Sequence, residues 1–419
     1  MAHFMRAGAL RHHRSALSKP SFGYRFLATK TYDPLRILFC GADEFSIASL
    51  KALHEEHVRR PDRISSIDVV CRPGKRVGRG LKNIREVPIK AVATELSLPI
   101  HEIDTFKGWA PPILPGGPIN LIVAVSFGLF VPPRILNAAK YGGLNVHPSL
   151  LPEYAPKIQA VPQEDLSNGR MSSFRGPAPL HHTLLAGRTK TGVTLQTLHV
   201  KHFDHGVILQ QTPAPGFEIP NPDTCTVPEL LNIVAPKGAE ILLDGIRKGL
   251  FVPPIEDAGW RASQGDEPLI HAAKIKPEDR HIDWVNWTWK DISRRNRVLG
   301  PLWNKTLAVS DPTSGNPLFR QRRVILSEME EVDTIKGCEA FSLIPGLPFV
   351  DSAHPIDRQQ GKGLYVFTRD GKLIQIYQMK VEGEQNADGV RAALKARMLS
   401  DRTFHSGAAD FTPFHNPLQ

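Results

Sequence analysis

Apolar and polar positions follow two different periodicities along the first 250 residues. Short and nearly continuous apolar runs predict buried strands at residues 35–40, 67–71, 120–127, 144–147 and 192–200. Apolar positions three or four residues apart predict amphipathic helices between them, one through Ile47, Leu50 and Leu53 and others at 87–97, 133–139, 179–186 and 228–248. Alternation of strands and helices predicts an α/β fold with a mainly parallel sheet and right-handed crossovers.

The pattern changes after residue 250. Residues 251–267 are rich in Pro, Gly and charge, which indicates a linker. A basic helix is predicted at 289–298, a strand at 322–326, and a β-hairpin at 365–377 that turns at Asp370-Gly371. With 419 residues, two or three domains are expected. We therefore predict an α/β domain at 35–250, a smaller β-rich domain resembling an OB-like barrel at 268–400, and a tail at 401–419.

The net charge of +10 is unevenly distributed. Residues 1–32 contain no acidic side chain, and the same stretch contains Arg6, Arg11, Arg14, Lys19, Arg25 and Lys30. This composition predicts that residues 1–34 are a mitochondrial transit peptide and disordered leader, although a plain basic tail is the alternative. Cleavage near Leu27 would remove five basic residues and lower the net charge from +10 to +5. The matrix is the expected compartment.

Several classes of protein are disfavoured. The four cysteines are far apart and form no C-x-x-C pair, which disfavours a disulfide framework and a structural zinc site. No apolar run reaches the roughly 18 residues that a membrane-spanning helix requires. The histidines lack H-E-x-x-H spacing, so no bound metal is predicted.

The end of the strand predicted at 144–147 carries candidate chemistry. Asn145 and His147 alternate, so both side chains point to one face of the sheet. An amide that donates to an oxyanion, beside an imidazole that moves a proton, forms a minimal acyl-transfer pair, and Asp204 is the best candidate to orient the imidazole. The alternative is a structural Asn–His pair. Ser149 lacks the Gly-x-Ser-x-Gly setting of a nucleophile.

A second informative stretch follows the strand predicted at 67–71. It contains three glycines, no acid between residues 71 and 85, and six basic residues: Arg72, Lys75, Arg76, Arg79, Lys82 and Arg85. Such a segment is suited to salt-dependent phosphate contacts, although an ordinary solvated loop has the same composition. We expect a mobile loop at the carboxyl edge of the sheet.

Several short motifs resemble the formyltransferases that use 10-formyltetrahydrofolate. These are N-V-H-x-S-L-L-P at 145–152, R-G-P-A-P at 175–179 and D-x-G at 204–206. Residues 35–45, 125–129 and 282–284 are similar to segments of the methionyl-tRNA formyltransferase branch, and the leader matches its mitochondrial type. The resemblance extends from about residue 35 to residue 397.

The resemblance implies a Rossmann-like formyltransferase domain. Asn145, His147 and Asp204 would be catalytic, and the reaction would move a formyl group from the folate to initiator methionyl-tRNA for mitochondrial translation initiation. The basic loop would contact tRNA, with Arg79 as its best single candidate. The resemblance assigns the folate site to Phe127, Gly128, Leu129, Ser149, Leu150, Leu151 and Pro152. No metal is implied, and a monomer outside the membrane is expected.

The chain departs from the family pattern at three places. Pro148 replaces a usual Gly, Val207 replaces a usual acid, and an insert at 155–174 separates two motifs and is expected to be a surface loop. Two alternatives stay open: a related formyltransferase or hydrolase with a small-molecule acceptor, and a non-enzymatic RNA-binding factor. A dinucleotide oxidoreductase is disfavoured because residues 41–45 lack G-x-G-x-x-G. Basic residues of the second domain form either a positive face for tRNA or a solubilising surface.

Overall fold

The computed structural model describes residues 30–114, 116–151, 174–259, 270–309, 319–333, 344–350 and 363–395. Helices of the first domain are α1 (Glu44–Arg59), α2 (Pro88–Glu95), α3 (Pro133–Leu136), α4 (Pro179–Leu185) and α5 (Val227–Lys248). Its strands are β1 (Leu35–Gly41), β2 (Ile64–Cys71), β3 (Lys75–Val77), β4 (Asn83–Arg85), β5 (Ile100–Glu102), β6 (Ile113–Leu114), β7 (Gly117–Pro118), β8 (Leu121–Val125), β9 (Gly143–His147), β10 (Phe174–Arg175), β11 (Lys190–Thr191), β12 (Thr194–Thr197), β13 (Ile208–Gln211) and β14 (Phe217–Glu218).

The second domain contains two further helices in its described part, α6 (Trp289–Leu299) and α7 (Gly389–Lys395). Its strands are β15 (Ile270–His271), β16 (Leu302–Val309), β17 (Phe319–Val332), β18 (Phe349–Val350), β19 (Leu364–Phe367), β20 (Leu373–Val381) and β21 (Ala387–Asp388). Within the described residues, no helix combines the length and apolarity needed to cross a membrane.

A seven-stranded sheet in the order β13-β12-β9-β8-β1-β2-β5 organises the first domain. Five neighbouring strands, from β9 to β5, are parallel, which confirms the predicted mainly parallel α/β fold. Strand β12 is antiparallel to β9, and β13 is antiparallel to β12. Strand direction was not visible in the sequence, because a buried strand has the same apolar pattern in either direction.

Both faces of the central sheet are covered. Leu121, Val123 and Val125 of β8 join the core under α1 and α5, whereas Ile122 and Ala124 point into the opposite core. All five side chains are buried, which explains the nearly unbroken apolar run of this segment. The strand ends earlier than predicted, because the next residue, Ser126, is in a left-handed conformation with φ of 48°.

The ends of α5 show why this long helix forms where it does. The side chain of Thr226 accepts a bond from the backbone N–H of Glu229, and Glu229 reciprocates in a capping box. Gly249 ends the helix with φ of 66°, a left-handed conformation that glycine adopts without a steric penalty. Helix α5 packs along α1 and places its apolar face on the sheet.

The folded domain begins before the predicted boundary. Lys30 Nζ donates to the carbonyls of Val252 at 2.7 Å and Pro254 at 2.5 Å, and the Tyr32 hydroxyl donates to the Ile246 carbonyl at 2.6 Å. These donors satisfy carbonyls at and beyond the C-terminal end of α5, where a positive charge is also favourable. Residues 30–34, which the composition placed in the leader, therefore pack on the domain; residues 1–29 lie outside the described part.

The second domain is built on an antiparallel sheet in the order β16-β17-β20-β19-β18, with β21 paired to β20. The predicted hairpin is confirmed as β19 and β20, with Gly371 at φ of 73° in the turn. Strand β17 is much longer than the predicted 322–326, and it pairs with β16 through residues 319–326 and with β20 through residues 324–332. In the described residues β16 and β18 are the two ends of the sheet and do not pair with each other, so a closed barrel is not formed there.

Arginines of α6 dock the second domain on the first. Arg294 donates to the Leu185 carbonyl at 3.4 Å, and Arg297 donates to the carbonyls of Pro222 and Asp223. Arg295 lies over the Trp287 ring at 4.2 Å. The sequence left open whether these arginines face tRNA or solubilise the surface; in the structure their guanidinium groups contact carbonyls and an aromatic ring within the protein.

A similar pairing limits the free charge elsewhere in the second domain. Arg322 lies 3.7 Å from Glu384, Lys395 lies 2.6 Å from the same carboxylate, and Arg323 lies over the Trp303 ring. The side chain of Arg320 and residue Arg397 fall outside the described part. The spacing of basic residues along the chain did not reveal these partners, because Glu384 and Trp303 lie in other segments of the chain.

We expect that Glu56→Gln lowers the free energy of unfolding by about 2 kcal/mol. The Glu56 carboxylate is buried between α1 and α5 and binds Arg247 at 2.5 Å and Arg63. Arg247 first, and then Arg63, hold the pKa of Glu56 below its usual range despite burial. Its contribution is therefore present above the unfolded pKa and is lost as pH falls through the lowered folded value.

Urea unfolding at neutral pH, followed by circular dichroism, measures this difference. Glu55→Gln is the matched control, because Glu55 neighbours Glu56 but is exposed and forms no ion pair with the described residues. Equal stability of both variants would contradict a structural role for the Glu56 pair.

Candidate active site

Strand β9 delivers two of the predicted catalytic side chains. Asn145 and His147 stand two residues apart at its carboxyl end, and they pair across the ladder with Gln196 and Thr194 of β12. Asp204 belongs to the loop between β12 and β13, where its backbone is left-handed with φ of 54°. The loop between β12 and β13 therefore places Asp204 beside Asn145 of the neighbouring strand β9.

The three residues meet at one carboxylate oxygen. Asn145 Nδ2 donates to Asp204 Oδ1 at 3.1 Å, and His147 Nδ1 lies 3.4 Å from the same atom. On the other side of the ring, His147 Nε2 lies 2.7 Å from the carbonyl of Phe174. The structure thus brings together the Asn145, His147 and Asp204 set.

The surroundings of His147 favour the charged imidazolium. A carbonyl can only accept, so Nε2 must carry a proton, and the carboxylate at Nδ1 favours a second one. Burial acts against the charge, since the residue is only 5% exposed, but Asp204 and the Phe174 carbonyl outweigh it and raise the pKa of His147. The contacts on both ring nitrogens therefore stabilise the imidazolium form of His147.

Asp204 is held as a carboxylate by several donors. Gly176 N–H donates to Oδ2 at 3.2 Å, and Gln196 Nε2 donates to Oδ1 at 3.2 Å, in addition to Asn145. Burial opposes the charge, yet His147 and then the Gly176 amide lower the pKa of Asp204. With this many donors directed at it, Asp204 is a weak base and a strong electrostatic partner for His147.

Gln196 was missed by the sequence reasoning. It is 1% exposed, and its Oε1 accepts from Gly206 N–H at 3.2 Å while its Nε2 binds Asp204, so it links both ends of the D-x-G motif. The only available signal was a polar residue inside an apolar strand, and its position opposite Asn145 depends on the antiparallel register of β12.

Gly206 has a steric role in placing Asp204. A Cβ at this position would stand 1.6 Å from the carbonyl oxygen of Thr197, so no other residue fits without moving the backbone. Gly176 is similar, because its φ is 119° and a Cβ would approach the Ala272 carbonyl to 2.5 Å. Both glycines let the chain pass close enough to position the Asp204 carboxylate.

A cavity of about 630 Å³ opens beside these residues. Asn145, His147 and Asp204 form part of its wall, and Phe127, Gly128 and Leu129 line it as the resemblance implied. The segment forms this concave wall because Ser126 and Gly128 both have positive φ and turn the chain away from β8. Its size and mixed lining suit a small organic ligand with a few oriented polar groups.

The other predicted folate residues have a different position. Ser149, Leu150 and Leu151 are at most 1% exposed and do not line this cavity. The Ser149 hydroxyl donates at 2.7 Å to the same Phe174 carbonyl that contacts His147. These residues therefore pack beneath the site and hold its neighbours, while Pro152 and residues 155–173 of the insert lie outside the described part.

Residues from distant segments complete the cavity wall. His271 lines it because β15 pairs in parallel with β10, next to Arg175. Arg175 Nη1 lies 2.8 Å from His205 Nε2, which must accept, and His205 Nδ1 is 2.5 Å from the Phe203 carbonyl, so it carries the proton. Within the described residues, no group of three or more His, Cys, Asp or Glu could hold a metal ion.

Asp43 is a further carboxyl in the cavity wall that the sequence reasoning did not single out. Its Oδ1 caps α1 by accepting the Ser46 N–H at 3.2 Å. Burial raises the pKa of Asp43, although bonds from Ser46 and Ser126 act in the opposite direction. Its signal was present in the sequence as an N-cap residue two positions after a buried strand.

The basic stretch after β2 forms a small hairpin and not an irregular loop. Strands β3 and β4 are antiparallel, and Gly78 and Gly80 supply the left-handed conformations of the turn. Lys75 lies directly opposite Arg85, an arrangement of like charges that is unfavourable in the absence of an anion. Arg72 lies 3.4 Å from Asp104, and the side chain of Arg79 is outside the described part.

The rest of this basic hairpin, residues 75–85, is open to solvent. Lys75, Arg76, Lys82 and Arg85 are exposed and form no ion pair with the described residues. Leu81 and Ile84 are also 58% and 57% exposed. The hairpin follows β2, whose carboxyl end lies at the same edge of the sheet as that of β9, so the charges and the catalytic residues share one edge.

Several known proteins are similar to this chain in amino-acid sequence. The formyl transferase family model matches residues 35–226. The human mitochondrial methionyl-tRNA formyltransferase is 27% identical over 378 residues, covering 89% of this chain and 78% of that protein. The mitochondrial enzyme of Saccharomyces cerevisiae is 30% identical, covering 66% and 70%, and the methionyl-tRNA formyltransferase of Geobacillus sp. is 32% identical, covering 64% and 72%. This chain belongs to the methionyl-tRNA formyltransferase family.

Proposed function

We propose that this protein transfers a formyl group from 10-formyltetrahydrofolate to the α-amino group of methionine on initiator tRNA. The observation that carries the proposal is the buried His147 ring between the Asp204 carboxylate and the Phe174 carbonyl, with Asn145 beside it on the cavity wall. Family membership supports the reaction, and the volume and lining of the cavity suit the folate donor.

The donor supplies an activated formyl group on a folate nitrogen that can leave. As the amine of methionine adds to the formyl carbon, negative charge develops on the formyl oxygen. Asn145 Nδ2 carries two N–H bonds, and Asp204 occupies one, so the second can donate to this oxyanion. The proton lost by the amine balances the proton gained by the folate nitrogen when the C–N bond to the folate breaks.

His147 contributes mainly through its charge. Both ring nitrogens already face acceptors, so the imidazolium lowers the energy of the oxyanion through space while its ring orientation is maintained. Asp204 maintains that charge, because removal of the carboxylate would leave burial as the dominant influence on the pKa of His147. Pre-oriented charge of this kind needs no reorganisation during the reaction.

The basic hairpin supports a polyanionic acceptor. Four exposed cations at the edge of the sheet that carries the catalytic residues can contact phosphates along the acceptor end of a tRNA. A small amine would not need such a surface. The like-charge pair of Lys75 and Arg85 is favourable only when an anion lies between or beside them.

We further propose that the protein acts in the mitochondrial matrix during translation initiation. The human and yeast relatives are named as mitochondrial enzymes, and the acid-free basic segment at the N-terminus is typical of a matrix transit peptide. The monomeric state stays a prediction.

The test is transfer of labelled formyl from 10-formyltetrahydrofolate by the purified chain starting at Ala28. Initiator methionyl-tRNA is compared with uncharged tRNA, glycinamide ribonucleotide, an amino-sugar nucleotide and water. We expect labelled N-formylmethionine only with the charged tRNA. Transfer to a small amine would show that the small amine is the acceptor in place of tRNA. Release of formate with every acceptor would show that water is the acceptor. Folate binding without any transfer would contradict catalysis.

A further inference from the structure

A second cavity adjoins the one that holds the catalytic residues. It has a volume of about 340 Å³ and shares Leu129 and Phe130 with the first cavity as a common wall. Phe106 lines the second cavity and packs edge-on against Phe127 of the first, with ring centroids 5.9 Å apart. An extended ligand that lies along Leu129 can therefore occupy both.

Two cations line the second cavity, and none of its described lining residues is acidic. Arg134 is held in place by Nη2, which donates to the carbonyls of Trp109 at 2.7 Å and Phe106. Its Nε and Nη1 make no hydrogen bond to the described residues, so they can bind an acceptor that enters. Lys107 is exposed and forms no ion pair with the described residues. The cavity thus combines a fixed guanidinium with a flexible ammonium.

We propose that this second cavity binds the carboxylate-bearing tail of the folate donor. The inference rests on the proposed function, because a folate carries an aromatic ring and one or more glutamates at the end remote from the pterin. Phe130 and Phe106 offer apolar surface for the ring, and Arg134 and Lys107 offer charge for the carboxylates. Additional glutamates would add contacts without changing the reacting atoms.

The same cations could instead contact a tRNA phosphate. The structure favours the folate tail, because the cavity is continuous with the folate-lining segment through Leu129, whereas the basic hairpin provides the separate polyanion surface. The two ligands predict different variants to be sensitive, which allows them to be distinguished.

The experiment measures binding by calorimetry of tetrahydrofolate with one glutamate and with a γ-linked chain of several glutamates. The wild type is expected to bind the longer form more tightly by about fivefold, and Lys107→Gln with Arg134→Gln is expected to abolish that preference. The preference should also weaken with added salt. Lys51→Gln, an exposed lysine on α1, is the matched control and should retain it.

Arg134 also holds two backbone carbonyls, so Lys107→Glu alone is a second variant that leaves these bonds in place and should reverse the preference. Equal affinity of the wild type for both folates overturns the proposal. If the Lys107→Gln with Arg134→Gln variant loses tRNA affinity in a gel shift while its folate binding is unchanged, the cations bind tRNA and the proposal is also overturned. Tail-dependent folate binding without formyl transfer would contradict the proposed function while supporting this cavity as the tail site.

Discussion

Replacing Asp204 with asparagine is expected to lower kcat for formyl transfer by about a thousandfold. The substitution keeps the size of the side chain but removes the charge that His147 Nδ1 faces at 3.4 Å. It also places an amide where Asn145, Gln196 and Gly176 all donate. Because His147 is almost fully buried, it would then lose its proton, and the oxyanion would lose a neighbouring positive charge.

The raised pKa of His147 also determines the direction in which the rate should change with pH. In the wild type the pKa of His147 is raised, because Asp204 and the Phe174 carbonyl outweigh the opposing effect of burial. The rate should therefore fall as pH increases through that raised value. In Asp204→Asn the same fall should occur at a lower pH. The pKa of Asp204 is lowered by His147 and Gly176 against burial, so the wild-type carboxylate stays ionised through the neutral range.

The measurement is kcat at saturating tRNA and folate from about pH 5.5 to about pH 9. Glu240→Gln is the control, since it removes an exposed carboxylate on α5 outside the cavity lining and should leave both kcat and the pH profile unchanged. A wild-type pH profile in Asp204→Asn would falsify the electrostatic role, even if kcat were reduced. Urea unfolding of both variants separates this effect from misfolding.

Neutralising the basic hairpin is expected to lower kcat/KM for methionyl-tRNA by about a hundredfold at low salt. The variant changes Lys75, Arg76, Lys82 and Arg85 to glutamine, and all four side chains are exposed and unpaired among the described residues. Each lost phosphate contact should reduce the slope of log affinity against log salt by about one. The kcat at saturating tRNA should change little, because the catalytic groups are not touched.

Filter binding and steady-state kinetics across a salt series measure this effect. Arg76→Gln with Lys82→Gln is compared with Lys51→Gln with Arg59→Gln, which removes two exposed cations from α1. Only the hairpin pair should reduce the salt slope. An equal loss in both pairs would show that net charge, rather than the hairpin, attracts the tRNA.

The residues that carry the chemistry could be predicted when they stood close together in the chain. Asn145 and His147 occupy alternate positions at the end of β9, and the period of a strand is sufficient to place both on one side. The buried character of β8 was also predicted, because both of its faces are apolar. The fold class followed from the same local periodicities.

Residues whose role depends on a distant partner were not predicted. Gln196 contacts Asp204 and faces Asn145 only because β12 is antiparallel to β9. His271 reaches the cavity through the pairing of β15 with β10, almost a hundred residues apart in the chain. Ser149 illustrates the converse, since a motif residue turned out to be buried under the site.

The basic residues also fall into two groups: those whose exposure followed from the local sequence and those whose partners lie in other segments. The acid-free segment at 72–85 was a local property, and the turn of its hairpin contains its own glycines Gly78 and Gly80 at positive φ. In α6, by contrast, Arg294, Arg295 and Arg297 are bound by carbonyls and an aromatic ring that lie elsewhere. Charge along a chain indicates what a surface can attract only after its internal partners are known.

The amino-acid sequence by itself determined the α/β architecture, the Asn145–His147 pair and the acid-free basic segment at 72–85, because each depends on periodicity or composition over a few neighbouring residues. Only the tertiary structure decided the charge state of His147, the donors around Asp204, the second cavity and the docking of α6. These depend on burial and on contacts between segments remote in the chain, and neither is encoded in local spacing.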